Sequence, residues 1–192
     1  MIHKRWKRTR SGFTIVELLI VIVVIAILAA ITIVSYNGIQ AQAQNAKVLS
    51  SIDAYTKALR LYKAQNGTYP SIVESETQSA AMACLGYASD FPANSTYPAG
   101  GCYVYPAGSI DIRTSTSLMN ALAQTTSNLP SATLPSVTLT TNQSIRGFLY
   151  MRTGDTAVVE YIQKGDVDCA RGSKSYNGSS FPNMTDCMIA LD

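Results

Sequence analysis

Residues 18–31 contain no polar side chain, and the only interruptions close by are Thr14, Glu17 and Thr32. At about 1.5 Å per residue, a helix from Phe13 to Val34 reaches roughly 33 Å, enough to cross a hydrocarbon core of about 30 Å. Length and composition together therefore predict a membrane-spanning helix over 13–34. Its one acid, Glu17, calls for an explanation, because an ionisable group set in lipid costs a few kcal/mol or more; it reads either as an anchor solvated by headgroups near the helix end or as a functional group with a partner.

The formal charge of +3 hides an asymmetry. Lys4, Arg5, Lys7, Arg8 and Arg10 all precede Phe13, and no acid does; beyond Gly12, ten basic residues face twelve acidic ones, a formal −2. Residues 1–12 read as a basic leader that stays in the cytoplasm, with the following domain across the membrane. The near-neutral remainder lacks the broad basic surface of a nucleic-acid-binding domain. An ordinary secretory signal carries its apolar region ahead of a small-residue cleavage site. Here the small residue at the junction is Gly12, before the apolar run, so a cut there leaves the helix on the mature chain.

Past the span, Ile39, Ala43, Ala46, Leu49, Ile52, Tyr55, Leu59 and Tyr62 recur at steps of three and four and form one apolar stripe. Gln40, Gln44, Lys47, Asp53, Lys57, Arg60 and Lys63 occupy the other face. Residues 35–66 are thus an amphipathic continuation of the same helix, which would reach about 80 Å in all. Asn37-Gly38 is its weak point, at about 1 kcal/mol relative to alanine. Asn66-Gly67 and Tyr69-Pro70 end it. Tyr55 and Tyr62 read as core residues on the stripe.

Residues 67–192 form the globular head of an α+β fold, a long N-terminal helix packed on a small antiparallel sheet. The stretch 67–144 is a loop region with a short helix over 74–88, placing Ala80, Ala81, Cys84 and Leu85 near one face. Strands over 102–105 and 109–113 follow, separated by a turn at Pro106-Ala107-Gly108, then a helix near 118–122. The charge-free, Ser/Thr/Pro-rich segment 124–144 reads as a surface loop or irregular edge strand. Residues 145–163 form a β-hairpin from strands 145–152 and 155–163, joined by Thr153-Gly154. A disulfide-closed loop over 164–192 ends in a strand at 188–191.

Four cysteines, Cys84, Cys102, Cys169 and Cys187, lie beyond the span, an even number that favours disulfides in an oxidising compartment. Three pairings are formally open. Cys84–Cys102 and Cys169–Cys187 are favoured because each joins near neighbours and closes a loop stabilising by about 3 kcal/mol. Zinc is disfavoured, since no two cysteines are close in sequence and the only histidine is His3; no cofactor is expected. Without a histidine after the leader, Ser/His and Cys/His nucleophile pairs are excluded, and the chain reads as no enzyme. Nothing in the spacing of Glu74, Glu76, Asp90, Asp155, Glu160, Asp166 and Asp168 singles out a catalytic pair. Asp166 and Asp168 are candidate calcium ligands, short of an EF-hand pattern and weighed against a plain acidic turn. Asn-x-Ser/Thr triplets begin at Asn66, Asn94, Asn142, Asn177 and Asn183.

The basic leader ending in Gly12, followed by Phe13, an acid at Glu17 and the run FTIVELLIVIVVIAIL, resembles the class III signal of type IV prepilins and pseudopilins. Ser11 stands where many relatives have Lys or Arg, and Val34 where many carry a helix-bending proline. The resemblance implies cleavage between Gly12 and Phe13 by a prepilin peptidase, N-methylation of Phe13, and pairing of Glu17 with a new amino terminus that sets filament register. It implies a pilin-like fold with an exposed C-terminal loop. The expected function is that of a structural subunit of a type IV pilus, polymerised through its N-terminal helix. Its partners would be other pilins, an assembly platform with its ATPase, and membrane lipid before assembly. The alternatives are a pseudopilin of a type II secretion or competence system, and a signal-anchored surface binding domain that never polymerises.

Overall fold

The computed structural model describes residues 12, 14–77, 79, 81–104, 111–132, 134, 137–138, 143–175 and 183–191. The chain divides into two units, residues 1–40 and 41–192.

Helix α1 is Ile15–Asn66. In the first unit every described helical side chain is exposed: Ile15 at 83% and the large apolar residues from 16 to 33 between 48% and 66%. A helix satisfies all its backbone N–H and C=O groups internally, which is why so apolar a segment adopts it. In the second unit Val48, Ile52, Tyr55, Ala58 and Leu59 are buried. Ile39, Ala43 and Ala46, expected on the packed stripe, are exposed, so burial on this face begins at Val48. The helix stops at Gly67, whose φ of 77° lets its N–H donate to the Lys63 carbonyl at 2.8 Å. This is the left-handed C-terminal cap that glycine favours.

The head holds helices α2 (Glu74–Thr77) and α3 (Thr116–Ala123) and strands β1 (Met82–Leu85), β2 (Gly101–Val104), β3 (Asp111–Arg113), β4 (Val137–Thr138), β5 (Ser144–Ile145), β6 (Phe148–Thr153), β7 (Thr156–Lys164), β8 (Ser173–Lys174) and β9 (Met184–Leu191). They form two antiparallel sheets. One has the order β1-β6-β7-β9-β8 and the other β3-β2-β5-β4. The fold is α+β, as the periodicities required. Tyr55 of α1 meets Phe148 edge-on at 6.0 Å. Through the strand register, the face carrying Phe148 and Tyr150 continues across Val159 and Ile189, all in one core.

Four expectations are corrected. The helix expected over 74–88 ends at Thr77, and Met82–Leu85 is strand β1. Its pairing with β6, from Met82↔Met151 to Leu85↔Phe148, overrides the helical preference of Met82, Ala83 and Leu85. The hairpin expected to begin at residue 145 begins at Phe148, because Ile145 belongs to the other sheet. The chain crosses between sheets at Arg146-Gly147, where a Cβ on Gly147 would lie 2.8 Å from the Phe91 ring. The C-terminal strand is not a short appendage over 188–191 but eight residues paired with β7 along its whole length. Within 124–144, Ala132 is fully buried and the Pro130 carbonyl accepts from the Tyr55 hydroxyl at 2.8 Å, so part of this segment is core wall; Val137–Thr138 is an edge strand. The turn at 106–108 and the strand residues 105, 109 and 110 lie outside the described residues, as do Gln78 and Ala80.

Candidate assembly site at the helix start

Thr14 precedes the first helical residue, and Glu17 is the third residue of the helix. The Thr14 backbone N–H donates to Glu17 Oε2 at 2.8 Å, the Thr14 hydroxyl donates to the same oxygen at 2.9 Å, and the Glu17 N–H donates to Thr14 Oγ1 at 3.3 Å. This is a reciprocal capping box, satisfying two N–H groups that a helix start otherwise leaves bare. The sequence carries the signal as Thr-x-x-Glu ahead of an apolar run. Gly12 is exposed, and Phe13 lies outside the described residues. Beyond the box, the exposed apolar side chains of residues 15–33 surround the helix. Among the described residues, α1 is the one helix long and apolar enough to cross a membrane.

In the head, disulfides join Cys84 to Cys102 and Cys169 to Cys187, with Cα atoms 5.8 and 5.7 Å apart. The first links strands of the two sheets. The second fastens the loop after β7 to the centre of β9. That loop is also tied to α1, since Arg171 Nε and Nη2 donate to Asp53 Oδ1 and Oδ2 at 2.9 and 3.0 Å. Asp166 and Asp168 both face Lys174, whose Nζ lies 3.5 and 3.6 Å from their Oδ1 atoms. An ammonium group thus meets the charge of the two carboxylates. Calcium takes six to eight oxygens, and among the described residues no three His, Cys, Asp or Glu side chains gather. Two carboxylates alone fall short of that number.

Glu76 fastens α2 to the start of α3. Its carboxylate accepts from the Ser115 and Ser117 hydroxyls and, at 3.2 Å, from the Ser117 N–H. The Ser115 hydrogen bond, foremost, holds its pKa below the usual carboxylate value. Arg146 is a buried cation whose Nε and Nη1 donate to the Gly101 and Pro92 carbonyls at 2.8 Å each, with its guanidinium 4.3 Å from the Tyr97 ring centre. It pins the loop between β1 and β2.

Residues 7–33 match the family model described as the Prokaryotic N-terminal methylation motif. The type II secretion system core protein G of Escherichia coli strain K12 is 35% identical to this chain over 105 residues, which cover 50% of this chain and 70% of that protein. The chain belongs to the type IV pilin and pseudopilin family. The core protein G of Klebsiella pneumoniae is 33% identical over 92 residues, 48% of this chain and 62% of that protein. That of Aeromonas hydrophila is 40% identical over 65 residues, 34% and 46%. The chain spans less than two thirds of the length of each of these last two relatives. No solved structure matches it significantly. Members of the pilin and pseudopilin family are structural subunits, not enzymes.

Proposed function

We propose that the chain is a pseudopilin-type structural subunit of a secretion fibre. It enters the cytoplasmic membrane with residues 1–12 inside and 67–192 outside. A prepilin peptidase cuts between Gly12 and Phe13 and methylates the new amine, and the subunit then polymerises with copies of itself and other pilin-like chains. In this reading 13–34 is the fibre core, 35–66 links it to the head, and the two disulfides belong to an oxidising compartment.

The observation that carries the reading is the all-round exposed apolar surface of residues 15–33, which begins at an acid held in the first helical turn. Such a surface suits lipid and the apolar helices of neighbours alike, so a subunit can exchange one for the other on leaving the membrane. Glu17 reaches back to the Thr14 N–H, one peptide unit from Phe13, where cleavage would create a positive charge. An amine and a carboxylate attract strongly in a low-dielectric setting, and only the correctly staggered neighbour satisfies both, so the pair sets register. The chain has no phosphate-binding loop, and extraction energy would come from an assembly platform and its ATPase.

The relatives are type II secretion system core proteins, which favours a type II secretion fibre over the type IV pilus expected from the sequence. The pilus reading keeps one observation in its favour, that those matches reach no more than 50% of this chain. A strain lacking the chain is expected to lose export of a folded protein while keeping long surface filaments. Loss of sheared filaments with export intact would favour the pilus instead. A membrane-bound form that never enters either structure would favour the anchored binding domain.

A further inference from the structure

Two carboxyl groups sit together on the sheet face that carries Leu149 and Met188, and among the described residues no basic group pairs with them. Glu160 of β7 lies directly between Leu149 of β6 and Met188 of β9, both apolar. Asp186 lies on β9 opposite Ile162, diagonally across from Glu160. Asp186 is 3% exposed, and its Oδ1 has no hydrogen-bond partner. Among the described residues, the polar neighbours of its carboxyl group are the Ser175 side chain, the Glu160 carboxyl and the Cys187 backbone N–H.

The surrounding charges are committed elsewhere. On β6, Arg152 donates to the Gly154 carbonyl and the Thr68 hydroxyl. On β8, Lys174 lies against Asp166 and Asp168. In the loop after β7, Arg171 holds Asp53 of α1. Lys164, at the end of β7, is exposed. Residues 176–182 contain no Asp, Glu, Lys, Arg or His.

We propose that the Glu160–Asp186 pair is a proton-operated lock between strands β7 and β9: one shared proton holds the strands together, and its loss in alkaline medium sets the partly buried Glu160 and the buried Asp186 against each other as two negative charges and loosens the strand that carries Cys187. Two carboxyl groups in contact in an apolar setting do not both ionise readily, so the second proton is retained well above the usual carboxylate range. Burial foremost, then the Asp186 charge, pushes Glu160 up to about 8, and burial raises Asp186 as well. The folded chain binds this proton more tightly than the unfolded one. Its contribution to stability is therefore complete below the ordinary glutamate value and is lost as pH rises through about 8.

The chain is suited to showing the effect cleanly. Its only histidine is His3, and among the described residues every cysteine is in a disulfide, so the usual neutral-range titrants are missing from the head.

The test is denaturant unfolding of the full chain in detergent, unreduced, at fixed ionic strength from pH 5 to pH 9. The wild type is expected to lose on the order of ten- to a hundredfold in its folding equilibrium between pH 6 and pH 9. Glu160→Gln, which keeps shape and hydrogen-bonding capacity without a titrating proton, is expected to show a clearly shallower slope over that range. A flat wild-type profile, or a Glu160→Gln slope equal to the wild-type one, overturns the proposal. If Glu160→Gln does not fold, Asp186→Asn takes its place: a shallower slope supports the lock, and an unchanged slope overturns it.

Discussion

Thr14 and Glu17 hold each other at the start of α1, the threonine N–H reaching Glu17 Oε2 at 2.8 Å and the glutamate N–H reaching Thr14 Oγ1 at 3.3 Å. Glu17 therefore has a role within a single chain before any neighbour arrives. Thr14→Ala is expected to fray the first turn, while Thr14→Ser preserves it. Amide hydrogen exchange in detergent checks this: Ile15, Val16 and Glu17 should exchange several-fold faster in the alanine variant and near the wild-type rate in the serine variant.

Gly147 sits where the chain passes from one sheet to the other, with the Phe91 ring 2.8 Å from where a Cβ would be. Gly147→Ala should destabilise the head by about 1–3 kcal/mol through overpacking. Adding Phe91→Leu to that variant should recover part of the loss. Unfolding midpoints of the two variants measure both effects, and no recovery would mean that the clash lies elsewhere.

Tyr55 and Tyr150 are fully buried, and their hydroxyls donate to the Pro130 and Pro70 carbonyls at 2.8 and 2.9 Å. Burial pushes both hydroxyls well above the ordinary tyrosine value. These raised values contribute stability that is intact below about pH 10 and is lost as pH climbs beyond it. In an alkaline titration followed by tyrosinate absorbance, these two rings should titrate only together with unfolding. Tyr55→Phe should cost about 1–2 kcal/mol, since it leaves a core-side carbonyl unpaired.

The Cys169–Cys187 bond and the Asp53–Arg171 pair both restrain the loop after β7. They differ in worth. Replacing both cysteines with alanine should cost about 2–5 kcal/mol, whereas Asp53→Asn, at a half-exposed pair, should cost no more than about 1 kcal/mol. Limited proteolysis should cut within 165–175 quickly in the cysteine variant and slowly in Asp53→Asn.

Local pattern carried the reading of α1, because a run without polar side chains and a stripe at helical spacing each follow from neighbouring residues. Gly67 was legible as its stop for the same reason. The hairpin of β6 and β7 was visible in its β-branched strands and its turn at Gly154, whose φ is 60°. The identity of 82–85 was not legible, since Met82, Ala83, Cys84 and Leu85 become a strand only through β6, more than sixty residues away. The division into two sheets depends on Gly147 meeting Phe91, again a long-range contact. The length of β9 was hidden because Thr185 and Asp186 look like loop residues until Asp186 is found beneath the sheet face with Glu160. The capping box is a local pattern, legible as Thr14-x-x-Glu17, because both partners lie within one helical turn.

The central claim is that this chain is cut before Phe13 and built into a fibre through the helix that follows. N-terminal mass spectrometry of the chain recovered from sheared or membrane-extracted fibres tests it most directly. The account predicts a mature chain that begins at N-methylated Phe13. A chain that retains residues 1–12 in the assembled material would contradict it.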